Sequence, residues 1–200
     1  GEINDGSTAG DPTTGGGFGD ETITFASDGF ALLTGGIRGG GTGEDGEEDA
    51  TEWALAMNQA ASLMLAGGAD YWLGGGVSMN YASGSENARG QGRGIMQVTD
   101  GATLNTTEDG AGGNTNGNID LDGWSALLIG SIDLEDDDLE DLGFDVDAET
   151  TTIGYETGGG VVETNDMTLD GNSAVVVGSD GELSGEKILL DGSSTLLVQG

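Results

Sequence analysis

The chain has 200 residues, of which 37 are Asp or Glu and only 4 are Lys or Arg, so that its formal net charge is −33. It has no His and no Cys, which excludes disulfides, thiolate metal sites, the Ser-His-Asp triad and the usual zinc ligand. Nucleic-acid binding needs a basic surface that this chain lacks, and an anionic membrane surface would repel it.

The charge density indicates a protein adapted to concentrated salt. Such a chain repels itself in dilute buffer, whereas at about 1 M salt the Debye length falls to about 3 Å and the repulsion is largely screened. Strand-like apolar runs along the chain argue against acidic disorder. We therefore expect a folded protein of a hypersaline system, located in a virion or at a cell surface.

Residues 1–20 are Gly-rich and polar, and they contain Pro12, the only proline. This composition predicts a flexible N-terminal arm followed by a single β-rich domain over residues 21–200. No signal peptide pattern opens the sequence. No run approaches the ~20 apolar residues of a membrane span.

Residues 51–66, TEWALAMNQAASLMLA, predict one α-helix. Thr51 is a suitable N-cap, acidic residues precede it, and Gly67-Gly68 supplies a stop. Most of its circumference is apolar, so we expect it to be buried within the fold or against another subunit. Trp53, Met57 and Met64 are therefore candidate interface residues.

Two glycine-rich stretches follow this segment. GGADYWLGGG (67–76) resembles one copy of the glycine- and aspartate-rich calcium repeat of β-roll toxins, a family whose sites need tandem copies. The competing interpretation is a turn region with Tyr71 and Trp72 in the core. ENARGQGRG (86–94) holds Arg89 and Arg93, two of the four cations. We expect these arginines to pair with carboxylates, either on a neighbouring subunit or within the chain.

The motif LDGWSALLIGS (121–131) returns as LDGNSAVVVGS (169–179) and LDGSSTLLVQG (190–200). Apolar strand, Asp turn and apolar strand recur from residue 95 onward, with Asp100, Asp122, Asp147, Asp170 and Asp191 spaced by 22, 25, 23 and 21 residues. This pattern predicts a mainly β protein. Antiparallel hairpins of a β-sandwich or jelly roll, with one buried helix, are the first choice, and rungs of a parallel β-solenoid are the alternative.

Metal binding is the main chemistry that the acidic residues offer. Asp120 and Asp122 stand in NIDLDG, which has the spacing of the start of an EF-hand loop, although position 12 would be Ile129 instead of Glu. Asp136, Asp137 and Asp138 lie in the densest acidic run. Solvated surface acids are the favoured interpretation of both stretches, and metal binding is the alternative. We predict no cofactor beyond loosely held Ca²⁺, Mg²⁺, Na⁺ or K⁺. Asn105 opens a glycosylation sequon, which matters only if the chain is exported.

These features together favour a structural protein over an enzyme. We expect a self-assembling subunit whose partner is itself, with no nucleic acid and no membrane insertion. A virion capsid, tail or decoration protein is the first choice. A strand-donating surface filament or surface-layer subunit is one alternative, and a Ca²⁺-binding extracellular adhesion module is another.

Overall fold

A computed structural model describes residues 3–4, 22–26, 30–33, 35, 37–38, 41–42, 48–49, 54–58, 62–79, 94–107, 117–132 and 158–199. The described residues are mainly β strands, and none of them is helical. Accordingly, this part of the chain contains no helix with the length and hydropathy to span a bilayer.

The chain winds repeatedly around three sides, each formed by a stack of parallel strands, and we call each complete turn of the chain a coil. Side one is built by β1 (Ile3–Asn4), β4 (Ile37–Arg38), β9 (Asp70–Trp72), β12 (Thr103–Asn105) and the first halves of β15 (Val161–Leu169) and β17 (Glu182–Leu190). Side two is built by β2 (Thr22–Ala26), β7 (Ala54–Asn58), β10 (Val77–Met79), β13 (Ile119–Leu121) and the second halves of β15 and β17. Side three is a separate six-stranded sheet of β3 (Phe30–Leu33), β8 (Ser62–Leu65), β11 (Ile95–Val98), β14 (Ala126–Ile129), β16 (Ala174–Val177) and β18 (Thr195–Val198).

All strand pairs along these three sides are parallel. The prediction of an antiparallel sandwich or jelly roll is therefore wrong, and the strand order is that of the alternative, a parallel coil. The Asp-Gly turns misled the prediction, because here they join strands of two different sheets instead of the two strands of a hairpin. The only antiparallel pair among the described strands is β5 (Gly41–Thr42) with β6 (Glu48–Asp49).

The predicted helix over residues 51–66 is also wrong. Its apolar residues instead form β7 and β8, which pair with neighbouring coils on two different sides. A strand that is buried on both faces reads as a continuous apolar run, as is typical of parallel sheets, and such a run is not distinguished from a buried helix by periodicity.

The core lies inside the coil, where inward-facing residues of equivalent strands stack coil upon coil. Side two contributes Leu55, Val77, Ile119 and Met167, side three contributes Leu63, Met96, Leu127 and Val175, and side one contributes Tyr71, Leu104 and Val162, all at most 2% exposed. Side three is unusual because its outer face is apolar too. There Ala126, Leu128, Ala174 and Val176 form a second buried cluster.

The recurring LDG motif forms the corner between sides two and three. In each copy the Asp side chain accepts a hydrogen bond from the next glycine, at 2.6 Å for Asp122 and Asp170 and 2.7 Å for Asp191. The corners also bond to one another, since the Ser193 amide donates to the Gly171 carbonyl at 2.7 Å. The repeat is therefore a ladder of like turns, one on each of three successive coils.

The N-terminal arm predicted for residues 1–20 falls almost wholly outside the described residues. Its exception is β1, which pairs with β4 in parallel register. The boundary between an arm over residues 1–20 and a domain over residues 21–200 therefore stays a prediction.

Candidate functional site

The last coil, residues 182–198, is the most distinctive surface of the described structure. We call it the terminal coil. Its β17 pairs with β15 at eight register positions, and its β18 pairs with β16 at four. Within the described residues neither strand has a partner on its other edge. An unpaired parallel edge offers a row of backbone donors and acceptors that another strand can bind.

Apolar side chains accompany this open edge. Leu189 is 44% exposed, Leu190 49% and Val198 65%. Leu190 and Val198 are in register with the buried Leu169 and Val177, so they occupy core positions of the coil. They are exposed because no further coil covers them among the described residues. Leu189 is in register with Thr168 and faces outward.

The corner of the terminal coil repeats the geometry of the coil before it. Gly192 has φ +64° and Gly171 has φ +69°, values in the left-handed region that favour glycine. The Thr195 amide donates to the Ser173 carbonyl at 2.9 Å, as the Ala174 amide does to Ser125. The terminal coil thus has the same backbone geometry as the coils before it. Its unpaired strand edges could bind a further coil in the same way.

Aspartates at the other corner, between side three and the next side one, fasten neighbouring coils. Asp180 accepts hydrogen bonds from the Ser131 amide at 2.7 Å and from the Ser131 hydroxyl at 2.8 Å. These two bonds favour the charged form and hold the pKa of Asp180 below its usual range. Asp100, at φ +54°, accepts from the Gly67 amide at 3.1 Å in the same manner.

The two aspartates proposed for metal binding in NIDLDG lie in different environments. Asp120 faces outward from side two, and its burial raises the pKa of its carboxyl group, an effect that a hydrogen bond from Thr168 opposes. Asp122 is buried at the corner, where it accepts from the Gly123 amide. No group of three or more His, Cys, Asp or Glu side chains in the described residues is placed to hold a metal ion. Asp136, Asp137 and Asp138 lie outside those residues, so metal binding there stays a prediction.

The predicted interface residues are only partly described. Arg89, Arg93 and Trp53 lie outside the described residues. Met57 is fully buried in the core, and Met64 is 2% exposed on side three. Both methionines are therefore covered within the chain, and their role in an interface stays a prediction.

The stretch that resembles a β-roll calcium repeat surrounds β9. Gly67 and Gly68 have φ +80° and +61° and form a corner, as the turn interpretation expects. Tyr71 is buried, and its hydroxyl donates to the Leu33 carbonyl at 2.6 Å and lies 3.1 Å from the Ala66 carbonyl. Trp72 is only partly buried. The stretch thus closes a coil and anchors it to the coil below.

The sequon asparagine has its amide engaged. Asn105 donates to the Glu163 carboxylate at 2.6 Å, and its side-chain oxygen accepts from the Thr107 amide at 2.8 Å. A glycan on this nitrogen would replace one donor hydrogen and disturb the bond between β12 and β15.

Sequence reasoning missed the exposed leucines and valine of the terminal coil and the role of Asp180. The repeat of LDG at 169–171 and 190–192 was a usable signal for the former, because it marks the second copy as a coil equivalent to the first. The Ser179-Asp180-Gly181 turn was the signal for the latter. No protein family, curated protein or solved structure compared with this chain gave a match.

Proposed function

We propose that this protein is a self-assembling structural subunit of a high-salt system. The observation that carries the proposal is the terminal coil, in which core positions are half exposed beside an open parallel edge. A subunit that binds its own kind through this edge would bury these side chains and pair the free backbone groups. A virion protein is the first setting that we propose, with a surface filament or surface-layer subunit as the alternative.

The net charge of −33 supports the high-salt part of the proposal. Copies of such a chain repel one another over about 10 Å at about 0.1 M salt, and over only about 3 Å at about 1 M. Concentrated salt also strengthens apolar burial when its ions are excluded from the surface. Association through an apolar edge is therefore favoured in brine and opposed in dilute buffer.

The test is assembly as a function of salt. We expect large particles by light scattering and negative-stain microscopy above ~2 M NaCl, and loss of particles or of β structure by circular dichroism near ~0.1 M NaCl. A monomer at every salt concentration would reject the proposed function. An unchanged β spectrum and a constant particle size across the series would reject its dependence on salt.

A pair of variants locates the contact. Leu190→Lys places a charge at an exposed core position, and we expect it to abolish particles in ~2 M NaCl. Leu189→Lys is the matched control, because Leu189 has nearly the same exposure on the same strand but faces outward. If both variants assemble to the same extent as the unmodified chain, the terminal coil is not the contact.

A further inference from the structure

The two ends of the coil stack have matching sets of free strands. At one end, the first half of β17 lies on side one, its second half on side two and β18 on side three. At the opposite end, β1, β2 and β3 lie on the same three sides in the same chain order. Among the described strands, each of these three has only one partner. A coil formed by β1, β2 and β3 therefore has the strand order needed to follow the terminal coil.

The register of the two ends matches as well. Continuous register along side two connects Phe25 with Met57, Met79, Leu121, Leu169 and finally Leu190. Continuous register along side three connects Leu33 with Leu65, Val98, Ile129, Val177 and Val198. Phe25 and Leu190 thus occupy equivalent positions in the first and last coils, and so do Leu33 and Val198.

The number of residues between equivalent register positions is the same at the two ends. Phe30 is connected by register to Thr195, as Phe25 is to Leu190, and four residues lie between the two positions at each end, 26–29 and 191–194. Residues 170–173 give the same four positions in the coil below, where stacking on the terminal coil is observed. Because parallel coils stack only when their strands and corners coincide, equal length allows both sheets to continue without a shift in register.

The exposed side chains at the two ends suit such a contact. Val198 is 65% exposed, and at the other end Ala31 and Leu33, which pack against the inner core, are partly exposed. Both ends are apolar at their core positions on side three.

We propose that a second copy of this chain docks its β1, β2 and β3 in parallel register on β17 and β18. Leu33 of one copy then stands opposite Val198 of the other, and Phe25 stands opposite Leu190. The contact is head to tail, so each added copy presents a new free terminal coil and the product is an open filament. This inference rests on the proposed function and specifies the surfaces that perform it.

Cysteine cross-linking tests the register, because the natural chain has no cysteine. The double variant Leu33→Cys, Val198→Cys places two thiols on adjacent strands across the contact. Adjacent strands lie about 4.8 Å apart, which is within the Cα separation of about 4.4–6.8 Å that a disulfide requires. Within one copy the two positions are five strand spacings apart, or roughly 24 Å, which excludes an internal disulfide.

We expect oxidation in ~2 M NaCl to give a ladder of covalent multimers on a non-reducing gel. The matched control is Leu32→Cys, Val198→Cys, because Leu32 is the neighbouring residue of β3 and points to the other face. It should remain mostly monomeric on the gel, with at least tenfold less cross-linked product. Leu190→Cys with Phe25→Cys repeats the test on side two, should the first pair fail to assemble.

The outcomes separate the two proposals. Particles without register-specific cross-links in either pair would overturn the head-to-tail contact and leave the proposed function standing. Absence of particles from the unmodified chain at every salt concentration would overturn the proposed function and this inference with it. Cross-links in the Leu33 and Phe25 pairs but not in the Leu32 control would support both.

Discussion

Two segments of nearly the same sequence differ sharply in solvent exposure in this molecule. Residues 169–177, LDGNSAVVV, and residues 190–198, LDGSSTLLV, both form a strand end, an Asp-Gly corner and a strand on side three. Leu169 is fully buried and Val177 is 6% exposed, whereas Leu190 and Val198 are among the most exposed apolar residues described. The side chains are alike, so the difference comes from position in the stack.

The comparison shows that the apolar side chains of a coil become buried only when neighbouring coils cover them. The side chains of a coil are covered by the coils on both sides of it, so a coil with one neighbour leaves part of them exposed. This dependence on neighbours is a general property of repeat architectures. The same motif that is core in the interior is therefore half exposed in the last described coil.

The sharpest test of the comparison is truncation of the equivalent leucines. We expect Leu169→Ala to lower the free energy of unfolding by about 2–5 kcal/mol, because it opens a cavity in a packed core. Leu190→Ala should cost about 1 kcal/mol or less in the monomer, since half of that side chain is already in water. Urea unfolding measures both, at a protein concentration low enough that light scattering shows no particles. Equal losses in the monomer would mean that the two positions do not differ in burial.

A smaller effect is expected from added methyl groups. A Cβ at Gly160 would overlap the backbone carbonyl of Val98 in the coil below, and a backbone atom does not shift as easily as the end of a flexible side chain. We expect Gly160→Ala to cost about 1–3 kcal/mol through overpacking. At Gly185 in the terminal coil the same atom would lie 3.2 Å from a Thr164 methyl group, which can shift. Gly185→Ala should be nearly neutral, and a destabilisation equal to that of Gly160→Ala would contradict the difference between interior and end.

The smallest expected effect is a change in melting temperature with pH, and it differs in sign between Asp180 and Asp120. The pKa of Asp180 is lowered by its bonds to Ser131, so its contribution to stability is full above the unfolded pKa of about 3.9 and is lost as pH falls through the folded pKa. Asp180→Ala should therefore lower the melting temperature at pH 7, and the difference from the unmodified chain should shrink in acid.

Asp120 has the opposite sign. Burial raises its pKa, so its ionised form disfavours the folded state at neutral pH, and protonation relieves this cost as pH falls. We expect Asp120→Asn to raise the melting temperature slightly at pH 7 and to have no effect below about pH 3. Scanning calorimetry at both pH values decides the matter, and a lower melting temperature for Asp120→Asn at pH 7 would contradict the assigned cause.

Much of the local structure could be predicted from the sequence. Alternation at Ile119-Asp120-Leu121 predicts a strand with two buried positions, and the structure has that strand. The three LDG copies predict turns after a strand, and all three are corners. The series of five aspartates was less reliable, because Asp100 lies at the other corner of the coil and Asp147 lies outside the described residues.

The helix and the direction of pairing could not be predicted. The run from Ala54 to Leu65 is apolar except at Asn58, Gln59 and Ser62. Such a run fits a buried helix as well as two buried strands. An Asp-Gly turn likewise fits a hairpin or a corner, since both need a residue with positive φ. Only the coils above and below distinguish these structures.

Composition and local pattern thus determine by themselves that this chain is acidic, lacks His and Cys, and forms short strands punctuated by Asp and Gly. These properties depend on each residue and its sequence neighbours. The tertiary structure decides that the strands are parallel, that Leu169 is core while Leu190 is surface, and that Asp180 bonds to Ser131. The reason is physical: burial and interstrand hydrogen bonds depend on residues that lie about one coil away, and the local sequence does not specify which residues those are.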